Sequence, residues 1–169
     1  MDFIQQTTSL VKGEIFEATI FGLFGLLTII GSLLLWKFGE TPNFKALIIP
    51  LAVVGAIFLV TSVSNIASNN KRLPQYTEAF NKDKAEFIKS EKKRVEDFQY
   101  LYKMTIIIAS VCFAIAIGFF LFTNNHVLKA IGLALIIFGL TGLIVDYFSK
   151  ERANTYYKAI TTEIESHYS

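Results

Sequence analysis

The side chains that most often carry out chemistry in proteins are few in this sequence. It has one cysteine, Cys112, and two histidines, His126 and His167. A lone thiol in an apolar stretch is expected to pack as a small hydrophobic side chain. The sequence contains neither HExxH nor CxxC, and no nucleophile-elbow serine pattern. It therefore predicts no catalytic residues, no metal site and no cofactor.

Three carboxylates lie close to the ends of long apolar stretches: Glu14, Glu17 and Asp146. Ionisable groups near membrane depth mark function by default, and several assembled chains would turn these three into a cation-attracting ring. The alternative is that they face water, or that Asp146 pairs with Lys150 one helical turn later. Similarly, the helix face shared by Thr61 and Asn65 fits either a wet vestibule or an ordinary exit from the membrane.

The composition decides which elements position these groups. Hydrophobic residues make up 53% of the 169 residues and charged residues 18%, against about 25% charged in a soluble domain. Four stretches of 19, 25, 25 and 16 residues contain no Asp, Glu, Lys or Arg. This pattern excludes a soluble enzyme, a disordered tail and a disulfide-rich secreted module. Because about 20 apolar residues cross a membrane as a helix, we predict four spans: Ala18–Trp36, Phe44–Ile66, Met104–Thr123 and Val127–Phe148.

Two of the three connections between spans are tight, Lys37–Asn43 and Asn124–His126. The predicted fold class is therefore all-α, a polytopic membrane protein with two antiparallel transmembrane hairpins and helical cytoplasmic extensions. The predicted segments are an N-terminal amphipathic cytoplasmic segment (1–17), the first hairpin (18–66), a cytoplasmic helical arm (67–103), the second hairpin (104–148) and a C-terminal cytoplasmic helix (149–169).

The distribution of Lys and Arg predicts the orientation of the chain. Of the 16 basic residues, only Lys37, Lys45 and Lys129 belong to the two short loops. Basic residues concentrate on the cytoplasmic side of a membrane. We therefore expect both termini to lie in the cytoplasm. The protein should be integrated into the plasma membrane, which in a bacterium is the inner membrane.

The two halves of the chain resemble each other. Lys45-Ala46 is followed by Gly55, and Lys129-Ala130 is followed by Gly139 at the same spacing. A tandem duplication would give two copies that point the same way. The alternative is that apolar segments resemble one another by composition.

The segment from Gln75 to Ile117 contains no Gly and no Pro. It predicts one helix running from about Gln75 through the third span, after a break at Leu73-Pro74. The N-terminal segment fits either an interfacial helix or a frayed start of the first span. Apolar side chains at helical spacing predict a cytoplasmic interaction face formed by Phe80, Phe87, Val95, Phe98, Tyr156, Ile160 and Ile164.

Small residues recur at roughly one-turn spacing along the spans, which lets helix backbones approach closely. The predicted helix-packing positions are Ala18, Gly22, Ala52, Ala56, Ser110, Ala114, Gly118, Gly132, Gly139 and Gly142. Such positions pack either within one chain or against a partner.

The middles of the predicted spans carry no ionisable residue, which disfavours an ion-coupled transporter or a membrane enzyme. We therefore expect a non-catalytic membrane protein that acts by helix contacts, as an assembly subunit or as an immunity protein against a membrane-acting toxin. The alternative is a homo-oligomeric ion channel lined by Thr28, Ser32, Thr61, Ser62 and Ser64 and gated by the cytoplasmic helices. Expected partners are membrane lipid and either another membrane protein or further copies of the chain. A net charge of +2 does not suggest nucleic acid.

Overall fold

Four long helices make up the part of the chain that the structure, a computed structural model, describes: residues 3–167, with side chains to residue 166. They are α1 (Phe3–Phe38), α2 (Pro42–Lys82), α3 (Lys84–Phe122) and α4 (His126–His167). Each is long and apolar enough to cross a membrane. The prediction of an all-helical protein with four membrane-spanning helices is confirmed at this level. The side chain of His167 lies outside the described residues.

The chain breaks where side chains satisfy the backbone groups left free at helix ends. Thr41 Oγ1 accepts a hydrogen bond of 3.3 Å from the Phe44 N–H, with Pro42 in the first turn of α2. Asp83 ends α2 and starts α3, because its carboxylate accepts a 2.9 Å hydrogen bond from the Glu86 N–H. Asn125 Oδ1 accepts a 2.8 Å bond from the Val127 N–H at the start of α4.

The break predicted at Leu73-Pro74 is wrong. Helix α2 continues through Pro74 to Lys82, and the chain turns at Asp83 instead. A proline inside a helix removes one backbone hydrogen bond. The aromatic side chains of Tyr76 and Phe80, beyond the proline, pack against the core of the helical extension. This tertiary packing holds the last turns of α2 in a helix.

The N-terminal segment is neither a separate surface helix nor a frayed start. It is the first part of the continuous helix α1. Phe3, Leu10 and Val11 are buried, and Phe3 and Leu10 belong to the same core as Phe87 and Ile160. Apolar residues that the sequence left without a partner are thus covered by the extensions of the other helices.

The two halves of the chain share one register. Adding 84 to a residue number in the first half gives the equivalent position in the second half. Helix α1 ends at Phe38 and α3 ends at Phe122. Helix α2 begins at Pro42 and α4 begins at His126. Three core positions of α1 also keep their residue type in α3, namely Phe3 and Phe87, Ile4 and Ile88, and Val11 and Val95.

Contacts between neighbouring helices follow the same offset. Gly55 on α2 lies against Gly25 and Ile29 of α1, while Gly139 on α4 lies against Ala109 and Phe113 of α3, the equivalent positions. A second pair repeats the rule. The Ser32 hydroxyl donates a 2.7 Å hydrogen bond to the Ile48 carbonyl, and Gly132 packs on Ala116 at the corresponding place.

Helix α1 packs along α2, and α3 packs along α4, while α4 also contacts α1 and α2. At the end of the molecule with the short loops, His126 Nδ1 is hydrogen-bonded to Asn43 Oδ1. At the other end, Phe87 contacts the rings of Tyr76 and Phe80. At most 28% of the most apolar 18-residue stretch of any helix is buried within the chain, so most of the apolar surface faces outward.

Candidate functional site

Five of the predicted helix-packing positions lie at contacts within the chain. Ala18 is buried, and its carbonyl accepts a 2.6 Å hydrogen bond from Ser62. The remaining four are glycines, and a Cβ added at each would contact a neighbour within 4 Å, most tightly at Gly22 and Gly139. These contacts are Gly22 with Ser62, Gly132 with Ala116, Gly139 with Phe113 and Gly142 with Thr105.

The other predicted packing positions do not meet a neighbouring helix closely. Ala52 is half-buried, and Ala56 is exposed. On α3, Ser110 and Ala114 are exposed, and a Cβ added at Gly118 would meet nothing within 4 Å. Ser110, Ala114 and Gly118 therefore form a shallow strip on the outside of α3, which we call the α3 strip.

Most of the predicted cytoplasmic interaction face is covered inside the chain. Phe87, Val95, Tyr156 and Ile160 are buried in one core, and Phe80 and Ile164 pack against it. Phe98 differs, because 43% of its side-chain surface is exposed and it lines a cavity. The arms thus pair with each other and with α1, which leaves little of this face for a partner.

A buried polar network joins α1, α3 and α4 beside this core. Arg94 Nε and Nη2 donate hydrogen bonds of 3.0 Å to the two oxygens of Glu91, which is 2% exposed. The Tyr156 hydroxyl donates to Glu91 Oε2 at 3.2 Å and lies 2.7 Å from Thr7 Oγ1. Arg94 Nη1 also reaches Glu14 Oε1 at 3.5 Å. The network satisfies charges that would be costly to bury alone.

Burial sets the protonation of these groups. It raises the pKa of Glu14 above its ordinary value, although Arg94 opposes the shift. Burial also raises the pKa of the Tyr156 hydroxyl, as does the nearby Glu91 charge, so the phenol stays protonated. Burial disfavours the charge of Arg94, but its hydrogen bonds to Glu91 outweigh that effect and leave its pKa above the usual value.

Next to the network, residues from all four helices line a cavity of about 430 Å³. We call it the inter-pair cavity, since it lies between the α1–α2 pair and the α3–α4 pair. Its walls are mostly apolar inside the predicted spans, and the charged residues lie near the ends of those spans or just beyond them. The apolar part includes Phe21, Ile57, Ile108 and Phe138; the charged part consists of Glu14, Glu17, Arg72, Arg94, Asp146 and Arg152.

The structure brings the three carboxylates singled out in the sequence to this one cavity. Glu17 forms an ion pair of 3.2 Å with Arg152. Asp146 has a side-chain hydrogen bond with Thr105, on the facing helix α3. Thr61 and Asn65 line the cavity as well, so the polar groups of α2 and the carboxylates belong to one site within one chain.

Sequence reasoning missed the three arginines of this site. Arg72, Arg94 and Arg152 lie in charged segments in which any basic residue is expected to face water, and no pattern separates them from neighbouring lysines. Their long side chains turn inward because the carboxylates lie there. Arg94, for instance, has only 19% of its side chain exposed.

The described residues contain no group of three or more His, Cys, Asp or Glu side chains placed to hold a metal ion. Cys112 is buried and free. The arrangement in the cavity is suited to binding, because it combines an apolar pocket with fixed charges at one end. Comparison with protein-family models, with curated proteins and with solved structures finds no match.

Proposed function

We propose that this protein is a non-catalytic integral membrane protein that acts by packing against a transmembrane helix of another membrane protein, as an assembly subunit or as an immunity protein. In this proposal the four helices cross the membrane as two antiparallel hairpins. The segments 1–17, 67–103 and 149–169 extend into the cytoplasm, and both termini lie there.

The orientation is supported by the basic residues and by the two short loops. Thirteen of 16 Lys and Arg residues fall outside those loops, as expected for cytoplasmic segments. The hydrogen bond between Asn43 and His126 holds both loops at one end of the molecule. The apolar segments of all four helices are then level with one another.

The common register of the two halves supports a tandem duplication of one hairpin with its extension. Helix ends, core residues and interhelix glycine contacts all follow the offset of 84 residues. Composition alone explains apolar residues at both places, but it does not explain matched contacts. The two copies would point the same way across the membrane, as in parallel repeats.

The observation that carries the proposed function is the open α3 strip. A Cβ added at Gly22, Gly132, Gly139 or Gly142 would contact a neighbour within the chain, whereas at Gly118 it would meet nothing within 4 Å. Ser110 and Ala114 are exposed. Small residues one turn apart allow a second helix to come close, and such packing drives helix association in lipid. The strip is flanked by exposed apolar side chains, including Ile107, Val111, Ile117 and Leu121.

Photo-crosslinking in the native membrane tests the proposal. A photoreactive residue at Ala114 is expected to capture one membrane protein in the wild-type background. Gly118→Leu should abolish the product, because a leucine side chain fills the groove. Gly31→Leu is the matched control: this glycine of α1 also has open space around it, but Leu27 and Leu35 flank it at one-turn spacing.

The proposal fails if the product persists with Gly118→Leu, or if both leucine variants remove it equally. A product with twice the mass of this chain identifies self-association instead. Reconstitution separates the proposal from a channel, because the purified protein alone in liposomes should not raise ion conductance. A reproducible single-channel current would favour the pore.

A further inference from the structure

The inter-pair cavity is a candidate binding site that is separate from the α3 strip. We propose that it binds one monovalent organic cation with an apolar body, holding the charged group at Glu17 and Asp146 and the body between the apolar walls. Four features of the cavity support this: its size, its charge balance, a buried carboxylate oxygen without a hydrogen-bond donor, and its aromatic lining.

The cavity has the size and chemistry of a small-molecule site. Its volume is about 430 Å³, and ligand pockets measure roughly 300–1,000 Å³, mostly apolar with a few placed polar groups. Here the polar groups converge at one end, while Phe21, Ile57 and Phe138 line the other. An amphiphilic ligand matches this division.

The charges at the polar end leave one negative charge uncompensated. Three carboxylates and three guanidinium groups line the cavity, and a fourth carboxylate, Glu91, lies behind Arg94. Arg94 is shared between Glu91, which it contacts by paired hydrogen bonds, and Glu14. With all groups ionised, four carboxylates therefore meet three guanidinium groups, and a single positive charge balances the site.

Glu17 has an oxygen without a hydrogen-bond donor. The residue is 8% exposed, and its carboxylate has a side-chain hydrogen bond with Ser149. Among the described residues, no group donates a hydrogen bond to Oε1, although Arg152 Nη2 forms an ion pair with it at 3.2 Å. The ion pair with Arg152 offsets the charge of this oxygen, and a cationic group entering the cavity would give it a further partner.

Aromatic side chains add a second feature that recognises cations. Phe21, Phe98, Tyr102 and Phe138 line the same cavity as the carboxylates. Aromatic faces attract cations when water is excluded. They also pack on an apolar body, so one wall serves both parts of the ligand.

The carboxylates do not belong to the features that the two halves of the chain share. Under the offset of 84 residues, Glu14 and Glu17 correspond to Phe98 and Leu101, and Asp146 corresponds to Ser62. Positions that hold the helices together are matched between the halves, whereas the carboxylates occur in one copy only. The ion pairs of Glu14 with Arg94 and of Glu17 with Arg152 add contacts that the other copy lacks, and a cation in the cavity would use the remaining negative charge.

Fluorescence titration with ethidium, an aromatic monocation, tests this inference on the purified full chain in dodecylmaltoside. We expect saturable binding of one ethidium per chain. Glu17→Gln and Asp146→Asn should each weaken it by about tenfold or more, since a charge-assisted contact is lost. Glu40→Gln is the matched control, because Glu40 is exposed in the short loop at the opposite end of the chain.

A neutral aromatic probe, N-phenylnaphthylamine, separates charge recognition from simple burial. Its binding should survive Glu17→Gln, while Thr61→Phe, which fills the cavity, should weaken both probes. Melting temperatures of all variants confirm that they fold. The inference is overturned if wild-type binding does not saturate, if Glu17→Gln binds ethidium as wild type does, or if both probes respond equally to that substitution.

Discussion

Tyr156 on α4 donates a 3.2 Å hydrogen bond to Glu91 Oε2 on α3, although 65 residues separate the two in the chain. Glu91 also holds Arg94, and the Tyr156 hydroxyl lies 2.7 Å from Thr7 Oγ1 of α1. One phenol thus ties three helices together at the point where the apolar core of the extensions meets the inter-pair cavity.

Tyr156→Phe should destabilise the protein by about 1–3 kcal/mol, because it leaves buried polar partners without a hydrogen bond. Tyr157→Phe is the matched control. Its hydroxyl donates a 2.7 Å bond to Glu96 at an exposed site, where water replaces the lost partner. Thermal unfolding in dodecylmaltoside measures both. Equal melting temperatures for the two variants would contradict a structural role for the buried network.

Gly25→Ala should destabilise the α1–α2 pair by about 1–3 kcal/mol, the usual effect of overpacking. The added Cβ would lie 2.9 Å from the Gly55 carbonyl oxygen and from Phe58 Cβ. Gly118→Ala should instead stabilise the isolated chain by roughly 0.5–1 kcal/mol through helix propensity, since its Cβ meets nothing. The same unfolding assay compares the melting temperatures of the two variants. A higher melting temperature for Gly25→Ala than for Gly118→Ala would refute the close approach of α1 to α2.

Stability should depend on the ionisation of Glu14. Burial raises its pKa in the folded state above the ordinary value of 4.5. As pH rises from 4.5 through the folded-state pKa, the folded protein ionises later than the unfolded chain, and stability falls. Glu14→Gln, which mimics the protonated form, should gain in melting temperature relative to wild type over that interval.

Glu78→Gln controls for the loss of one exposed carboxylate. The difference between wild type and Glu14→Gln should change with pH, and that between wild type and Glu78→Gln should change less. A wild-type minus Glu14→Gln difference that is constant with pH, or that favours wild type as pH rises, would show that Arg94 dominates over burial at Glu14.

Cysteine labelling tests the proposed orientation. On a Cys112→Ala background, we expect a membrane-impermeant maleimide to label Glu40→Cys and Asn124→Cys on intact cells. Asn81→Cys and Lys89→Cys should react only after permeabilisation. All four positions are exposed in the folded chain, so burial does not decide reactivity. Labelling of Asn81→Cys on intact cells would reverse the orientation.

Several elements of this protein follow from the sequence alone. Charge-free stretches of sufficient length predict membrane-spanning helices because a lipid-embedded backbone must satisfy its own hydrogen bonds. The Asn124–His126 turn was evident because it separates two such stretches. The helix break at Asp83 was not, since Pro74 gives the stronger local signal and only the packing of Tyr76 and Phe80 keeps the helix intact beyond it.

Only the tertiary structure decided which small residues contact a neighbouring helix and which face open space. Gly118 and Gly139 look alike in sequence, but Phe113 covers only Gly139. It also decided that Glu14, Glu17 and Asp146 meet in one cavity, although Asp146 on α4 lies 129 residues after Glu17 on α1 in the chain. The local sequence pattern predicts which face of a helix is polar and which is apolar. The neighbour that each face contacts depends on how the helices pack together.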